Sequence, residues 1–394
     1  MEYVKFSKFI ISTQYGYTAE ETSLVEGDAK YLRITDIVPY FVNKKQVPFC
    51  KIDDNKKKKY LISENDLLIA RTGATTGYNL VVDESYKNFV FASYLIRFNY
   101  NKNELYPLYL KYVLKSQQWY GFVNNFISGS AQPGMNAKVF GKFQIPFFNY
   151  DIQKRISNIL STYDKLIDNN NKRIKLLEQM AENLYKEWFV RFRFPGYENV
   201  ELEEQKPRGW QVGTKEKIHF IPTIFKYDKF KNIGSFVRGK NITAKQMIEG
   251  DIPVISAGLQ PSGYHNEANI YGISLTISAS GANAGYLQYH MNDIWAADCS
   301  CYQDDTKIWF VYNTLKYLQP VISNLQCGAA QPHVYPKNIN KLFVLVPTEE
   351  LIYKYNDFVK TYYEEIKILN QHNQILTKQR DLLLPRLMSG KLEV

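Results

Sequence analysis

Two long segments of this chain carry apolar side chains at alternating steps of four and three residues, and this spacing restricts the possible folds more than any other feature. A helix whose apolar residues recur about every 3.5 positions keeps one stripe facing a partner helix. The first segment, 152–191, contains no Pro or Gly and predicts a helix roughly 60 Å long. Its seam, meaning the ten positions of that stripe, consists of Ile156, Leu160, Tyr163, Ile167, Asn170, Ile174, Leu177, Ala181, Leu184 and Trp188.

The same spacing returns near the C-terminus. The second seam consists of Tyr355, Val359, Tyr362, Ile366, Leu369, Asn373, Leu376, Arg380, Leu383 and Leu387. Each position lies 199 residues after its counterpart in the first seam. A fixed offset of this size indicates an internal duplication, in which a globular half is followed by a long helix, twice over.

An asparagine lies near the middle of each seam, and the two positions predict how the helices pair. Asn170 is fifth in the first seam and Asn373 is sixth in the second. If the helices run antiparallel with aligned ends, the two amides meet and bond to each other, whereas a lone buried amide costs roughly 1–3 kcal/mol. A parallel pairing would set each asparagine against an apolar residue. The alternative is that both point to solvent, which the polar run 169–171 also permits.

Composition limits the class of protein. A chain of 394 residues suffices for two or three domains. It has no apolar run of about 18 residues and no charged-then-apolar leader, so we expect a soluble, cytoplasmic protein. The net charge of +10 comes mainly from residues 1–150, which hold 19 basic and 13 acidic residues. This surplus suits a nucleic-acid partner, but a basic protein without one is equally compatible. The four cysteines lack metal-binding spacing, so we expect free thiols and no metal site.

The globular segments have the pattern of an α+β domain. Short β-branched and aromatic runs, such as 89–98, predict strands. The stretch 105–123 has helical spacing, with Pro107 suited to the first turn. The lysine run 56–59 is typical of a solvated loop.

Two short motifs occur once in each globular segment. A glycine loop with the pattern G-A-x-x-G-Y follows a predicted strand at 71–78 and again at 279–286. An A-Q-P element precedes a predicted strand at 129–133 and again at 328–332. Since the remaining residues have diverged, the two segments predict one domain fold used twice, with two related sites of different specificity.

No segment has the pattern of a catalytic or cofactor site. Phosphate-binding and dinucleotide-binding glycine motifs, HExxH, a nucleophile elbow and the Asn/Asp-Pro-Pro-aromatic motif of amino-methyltransferases are all missing from the sequence. Short hydroxyl and amide side chains on glycine-rich loops, with nearby Arg or Lys, can instead contact DNA phosphates or base edges. On this basis the candidate DNA-binding residues are Arg71, Thr72, Thr75, Thr76, Ser128, Ser130, Gln132, Arg238, Lys240, Ser278, Ser280, Asn283, Gln331 and His333. The alternative is that both loops are tight turns without a ligand.

Three segments resemble the specificity (S) subunit of type I restriction–modification systems. The run 181–192 (AENLYKEWFVRF) is similar to the end of that family's central helix. The run 206–210 (KPRGW) resembles its entry into a recognition domain, and 380–392 (RDLLLPRLMSGKL) resembles its C-terminal ending. Together with the half-repeat, the resemblance covers nearly the whole chain.

The resemblance implies two target-recognition domains that read the halves of a bipartite double-stranded DNA target. Two long antiparallel coiled-coil helices would set the spacing between the halves. The subunit itself would be non-catalytic and would recruit two modification (M) subunits and restriction (R) subunits, which hold S-adenosylmethionine, ATP and Mg. The alternative is a standalone coiled-coil DNA-binding adaptor without enzyme partners.

The predicted organisation is therefore an α+β, pseudo-two-fold duplication. Its parts are target-recognition domain 1 at 1–150, a central spacer helix at 151–193, a linker at 194–209, target-recognition domain 2 at 210–347 and a C-terminal spacer helix at 348–394. The residues expected at the spacer-helix interface are Ile156, Leu160, Ile167, Asn170, Ile174, Leu177, Leu184, Ile366, Leu369, Asn373, Leu376 and Leu383.

Overall fold

The computed structural model describes residues 2–19, 21–22, 28–127, 134–205, 219–326 and 332–393. The chain forms two compact units, one of Met1–Asn170 with Gln371–Val394 and the other of Asn171–Asn370. Each unit contains one globular domain and part of both long helices. The units divide those helices near their middle, so the domain boundaries drawn from the sequence stay a prediction.

The first globular domain consists of short strands and helices. Its elements in chain order are β1 (Glu2–Lys5), β2 (Ile10–Tyr15), β3 (Glu21–Thr22), β4 (Ala29–Leu32), β5 (Phe49–Cys50), α1 (Asp54–Tyr60), β6 (Leu67–Ala70), β7 (Asn79–Val81), β8 (Phe89–Phe91), β9 (Leu95–Tyr100), α2 (Pro107–Val113), α3 (Gln117–Ile127), α4 (Ala137–Phe140) and β10 (Gln144–Phe147). The central sheet has the order β2-β9-β6-β7. A second sheet has the order β3-β5-β4-β8, in which β4 and β8 are parallel, and β1 pairs with β10.

The central sheet of this domain is covered on both faces, which explains the continuous apolar sequence of β6. Successive strand residues point to opposite faces. Leu67 and Ile69 belong to one buried cluster together with Trp119 of α3. Leu68 and Ala70 belong to a second cluster, which lies on the other face. A strand buried on both sides must be apolar throughout, so it shows no alternation in the sequence.

The chain continues through the first long helix, the second domain and the second long helix. These elements are α5 (Tyr150–Tyr185), β11 (Leu202–Gln205), β12 (His219–Pro222), β13 (Lys226–Lys229), β14 (Val237–Arg238), β15 (Ile252–Ile255), β16 (Gly263–His265), β17 (Ser274–Ser278), β18 (Leu287–His290), β19 (Trp295–Ala296), β20 (Cys299–Tyr302), α6 (Ile308–Tyr317), α7 (Gln319–Ser323), α8 (Pro336–Ile339), β21 (Phe343–Val346) and α9 (Glu349–Met388).

The topology of the first domain is repeated in the second. Strand β13 pairs with β21 as β1 pairs with β10. The sheet order β14-β20-β17-β18 matches β2-β9-β6-β7, and the parallel pair β15–β19 takes the place of β4–β8. The α+β duplication predicted from the sequence is therefore confirmed.

In the first unit, α5 and α9 run antiparallel. Asn170 Nδ2 donates to Asn373 Oδ1 at 2.9 Å. Asp164, earlier in α5, pairs at 2.9 Å with Arg380, later in α9. Asn170 is only 9% exposed, so the amide pair lies inside the seam and not in solvent. The predicted asparagine pair and its antiparallel register are confirmed.

In the second unit, the same two helices are again antiparallel. The Tyr355 hydroxyl donates to the backbone oxygen of Ala181 at 2.9 Å, and Arg173 pairs with Glu365 at 2.6 Å. Beyond α5 the chain continues in a π-helical turn, Lys186–Val190. In the described part of the chain, no helix combines the length and the apolar character that crossing a membrane requires.

The residues expected at the spacer-helix interface all face inward, with one local correction to the seams. Those that are buried or half-buried are Ile156, Leu160, Ile167, Asn170, Ile174, Leu177, Leu184, Ile366, Leu369, Asn373, Leu376 and Leu383. The seams also assigned Tyr163 and Tyr362, but these are half-buried, and their neighbours Asp164 and Tyr363 are the buried residues. An α-helix turns about every 3.6 residues and not every 3.5, so the buried stripe drifts by one position here.

One local prediction from the sequence is wrong, and two are confirmed in type but interrupted in the structure. The lysine run 56–59 is helical and lies in α1, because the Asp53 carboxylate caps the first turn. The helix predicted at 105–123 is interrupted between α2 and α3, where the Ser116 hydroxyl binds a backbone oxygen at the end of α2. The strand predicted at 89–98 is divided into β8 and β9.

Candidate nucleic-acid interface

The first glycine loop is a tight turn between β6 and β7. A 3-10 turn at Gly73–Thr75 follows the strand, and Gly73 and Gly77 have φ angles of +68° and +87°. The Gly77 amide donates to the backbone oxygen of Ala70 at 2.8 Å, which closes the turn. Only glycine adopts this left-handed region without strain, so the turn itself explains the G-A-x-x-G spacing.

The second glycine loop repeats this geometry between β17 and β18. Its 3-10 turn is Gly281–Asn283, and Gly281 and Gly285 have φ angles of +74° and +88°. The Gly285 amide donates to the backbone oxygen of Ser278 at 2.8 Å. The two loops therefore share a backbone and differ in their side chains.

In both domains the glycine loop pairs with the segment that follows the A-Q-P element. Thr72 forms a β-bridge with Gly134 in the first domain, and Ser280 forms one with His333 in the second. The two sequence motifs thus converge on one place in each domain, which their separation along the chain did not reveal. The candidates Ser128, Ser130, Gln132 and Gln331 lie outside the described residues, so their role stays a prediction.

A side chain from the following helical segment holds each glycine loop in place. Trp119 Nε1 donates to the backbone oxygen of Gly77 at 2.8 Å, and Gln319 Nε2 donates to that of Gly285, also at 2.8 Å. An indole and an amide perform the same task in the two domains. Sequence comparison of the halves missed both residues because they are chemically unlike.

Three of the candidate DNA-binding residues are buried, so the structure corrects their predicted role. Thr76, Ser278 and Ser280 are 4%, 5% and 8% exposed. The hydroxyl of Thr76 donates to the backbone oxygen of Gly73, that of Ser278 to Ala257, and that of Ser280 to the Asp298 carboxylate. These hydroxyls stabilise the turns from inside, so we remove them from the candidate DNA contacts.

The other described candidates remain accessible in part. Arg238 and Lys240 are exposed, whereas Thr72, Thr75, Asn283 and His333 are half-buried. Lys240 Nζ lies 5.7 Å from the centre of the Trp295 ring. Their contact with DNA stays a prediction.

Arg71 lies between two exposed aromatic rings at the start of the first loop. Its guanidinium carbon is 5.1 Å from the centre of the Tyr15 ring and 6.0 Å from that of Tyr94. Tyr15 is 46% exposed and Tyr94 is 54% exposed. Nε of Arg71 donates to the backbone oxygen of Ser93 at 3.3 Å, which orients the guanidinium. The arrangement presents a cation and two aromatic faces to the surface, a combination suited to nucleic acid.

The comparisons with known proteins agree with this fold. Residues 22–179 match the model of the type I restriction modification DNA specificity domain. The MjaIX specificity subunit of a type I restriction enzyme of Methanocaldococcus jannaschii is 27% identical, over 73% of this chain and 69% of that protein. The HindI specificity subunit of Haemophilus influenzae is 21% identical, over 87% of this chain and 91% of that protein.

A solved structure also shares the fold. The crystal structure of the type I restriction–modification S subunit from M. genitalium superposes with a TM-score of 0.56. The alignment covers 98% of this chain and 95% of that one at 17% sequence identity. The matched domain, the curated relatives and the duplicated architecture lead to one conclusion: residues 22–179 match the type I restriction modification DNA specificity domain, and the chain as a whole is similar to the specificity subunits of type I restriction enzymes.

Proposed function

We propose that each globular domain reads one half of a bipartite double-stranded DNA target. The observation that carries this proposal is the repeated loop geometry, in which one backbone arrangement presents different side chains in the two domains. Base sequence is read by side chains, whereas the scaffold fixes their position. A repeated scaffold with changed side chains is therefore suited to two half-sites of different sequence.

The two long helices would set the distance between the half-sites. Helix α5 has 36 residues and α9 has 40. In the first unit their register is fixed by the Asn170–Asn373 hydrogen bond and the Asp164–Arg380 ion pair. A slip along the helix would break both contacts at once, so the pair has the fixed register that a spacer needs.

The outer faces of the helices would hold the catalytic partners. In the first unit, Ile159 and Leu166 of α5 lie seven residues apart and are exposed, as are Ile375 and Leu382 of α9. Residues seven apart share a helix face, so each pair forms an apolar stripe open to another helix. We place modification subunits here, with restriction subunits joining them in the cytoplasm. S-adenosylmethionine, ATP and Mg would be held by those partners, and this chain would remain non-catalytic.

The proposed function is tested by mapping methylation. The chain is expressed with its modification subunits in cells that lack other DNA methyltransferases, and methylated adenines are located by sequencing. Methylation should occur at a single two-part sequence with a fixed gap, and the chain without its partners should methylate nothing. Methylation at an undivided sequence would contradict the bipartite proposal, and methylation by the chain alone would contradict the non-catalytic assignment.

The spacer role is tested by shortening both helices together. Deleting 171–177 from α5 and 366–372 from α9 removes one heptad from each and leaves the Asn170–Asn373 contact in place. The helix pair becomes about 10 Å shorter. Since B-DNA rises about 3.4 Å per base pair, the gap should shrink by about three base pairs. An unchanged gap in a variant that still binds DNA would exclude the spacer role.

A further inference from the structure

We infer that Arg71, oriented by Tyr15, Tyr94 and Ser93, reads a guanine in the half-site of the first domain. This inference rests on the proposed function, since it assigns one base contact within one half of the target.

The Arg71 guanidinium is fixed but not neutralised. Its Nε donates to the Ser93 backbone oxygen, and its guanidinium carbon lies 5.1 Å and 6.0 Å from the ring centres of Tyr15 and Tyr94. Within the described residues, no carboxylate pairs with it and no hydrogen bond uses its two terminal nitrogens. Such an arginine has lost much of its side-chain freedom before binding, while its two-pronged end remains available.

The backbone identifies the equivalent place in the second domain. Gly16 donates to the backbone oxygen of Leu95, as Gly239 donates to that of Cys299. Both glycines are required, because a Cβ would lie 2.1 Å from the Ala92 oxygen at Gly16 and 2.5 Å from a backbone oxygen at Gly239. The residues that precede these glycines, Tyr15 and Arg238, therefore occupy matching positions.

Two further positions match by the same reasoning. The Arg71 amide donates to the Tyr94 backbone oxygen at 3.0 Å, and the Ala279 amide donates to that of Asp298 at 3.3 Å. At the positions of Tyr15, Arg71 and Tyr94, the second domain therefore has Arg238, Ala279 and Asp298. Arg238 pairs with Asp298. Arg238 is already paired with a carboxylate, whereas Arg71 has no carboxylate partner among the residues that the structure describes. The two domains carry different chemistry at one scaffold position, as expected of a position that determines specificity.

The two terminal nitrogens of Arg71 are better suited to guanine than to any other base. Arginine forms two parallel hydrogen bonds with O6 and N7 of guanine in the major groove, and no other base edge offers two acceptors there. A phosphate contact would need only the charge. The tyrosines are positioning residues, since their rings lie within cation–π distance of the guanidinium and restrict where it can lie.

Lysine keeps the charge and loses the planar fork, whereas alanine removes both. The loss of a base contact lowers discrimination at one position, whereas the loss of a phosphate contact weakens binding alike on all sequences. The wild-type chain and the variants Arg71→Lys and Arg71→Ala are assembled with the modification subunits. Binding is measured on duplexes in which each base pair of the target is changed in turn. Arg193→Ala is the matched control, since it removes one positive charge from an exposed arginine outside both domains.

Arg71→Ala should lose about 5- to 150-fold discrimination at a single G·C pair in one half-site, and Arg71→Lys should lose part of the discrimination at the same pair. Discrimination at every other position should be unchanged, and Arg193→Ala should change none. Tyr94→Phe should behave as wild type, whereas Tyr94→Ala should lose part of the same discrimination.

Two results would overturn the inference. One is full discrimination by Arg71→Lys with uniformly weaker binding by Arg71→Ala, which is the behaviour of a phosphate contact. The other is an Arg71→Ala complex that binds DNA as the wild type does at every position. A wild-type complex that methylates no bipartite sequence would be a different failure, since it would remove the proposed function itself.

Discussion

In the first unit a buried carboxylate joins the globular domain to the two long helices, and in the second unit stacked aromatic rings do so. Asp164 of α5 accepts hydrogen bonds from Lys111 at 2.9 Å, Tyr112 at 2.8 Å, Tyr40 at 3.0 Å and Arg380 at 2.9 Å. The side chains of Asp164 and Arg380 are 7% and 8% exposed. One carboxylate thus connects the first domain to both α5 and α9.

The second unit has apolar and aromatic residues at the duplicated positions. Tyr363 lies 199 residues after Asp164, and Ala181 lies 199 residues before Arg380. The ring of Tyr363 stacks on that of Trp309 in α6, with centres 3.6 Å apart and planes 2° from parallel. The scaffold therefore accepts either an ion pair or an aromatic stack at the same junction.

The difference shows what the polar groups of the first unit contribute. A duplicated chain has two similar seams, so each helix segment has more than one possible partner. A buried charge or amide that meets an apolar residue is costly, whereas apolar seams tolerate exchange. We infer that Asp164–Arg380 and Asn170–Asn373 determine which segments pair, and that the aromatic stack mainly contributes stability.

The largest effect is expected from Trp309→Ala. Trp309 is 1% exposed, so truncation leaves a cavity beside Tyr363 and should lower the free energy of unfolding by about 3–5 kcal/mol. Because the lost contacts are apolar, the decrease should be the same at pH 5 and pH 7. It is measured by denaturant unfolding of the full chain. A decrease below about 1 kcal/mol would mean that the stack is not the main contact.

Asp164→Asn should have a similar but smaller effect of about 3 kcal/mol, because it removes the buried charge partner of Arg380 and leaves the more exposed Asp381 beside it. Burial opposes the ionised carboxylate, but its contacts with Lys111, Arg380 and Tyr112 outweigh this and hold the pKa of Asp164 below its usual value. Near-neutral behaviour of Asp164→Asn in denaturant unfolding would show that the buried pair is dispensable.

The dependence on pH separates the two units. A carboxyl whose pKa is lower in the folded protein adds stability above its unfolded pKa of about 3.9, and this stability is lost as the pH falls through the folded value. The wild type and Trp309→Ala should both lose this contribution below about pH 4, whereas Asp164→Asn should not. Identical acid unfolding profiles for all three would assign the acid sensitivity to other groups.

The smallest effect is expected from giving the first unit the residues of the second. The positions equivalent to Asn170 and Asn373 are Leu369 and Ile174. Asn170→Leu alone should cost about 1–3 kcal/mol, because the Asn373 amide loses its bond to Asn170 inside the seam. The double variant Asn170→Leu, Asn373→Ile should regain that stability, and a double-mutant cycle measures the coupling. Additive effects would show that the two amides are not coupled in solution.

The sequence predicted the parts of the structure that depend on periodicity and local turn chemistry. The seams and the turns formed by Gly73 and Gly281 follow from rules that act over a few residues. The antiparallel asparagine pair follows from matching the polar breaks of the two periodic seams. The helical state of 56–59 was missed because one capping carboxylate, Asp53, outweighed the charge pattern.

Contacts between distant segments could not be predicted in the same way. Nothing in the residues near Asp164 indicates that Lys111 and Tyr40 will meet it, because those partners come from elements brought together only by the fold. The same holds for Arg71, whose partners Tyr15 and Tyr94 lie on β2 and beside β9. The inward orientation of Thr76 and Ser280 likewise depends on the closed turn, and the sequence pattern alone suggested an exposed side chain.

Exchanging one domain tests the central claim most directly. Residues 210–347 are replaced by the same region of a related specificity subunit with a different known target, and the methylated sequence is determined in cells that contain the modification subunits. The account predicts that one half of the target changes to that of the donor, while the other half and the gap stay as they are. A hybrid that folds and directs methylation but changes both halves together would contradict it.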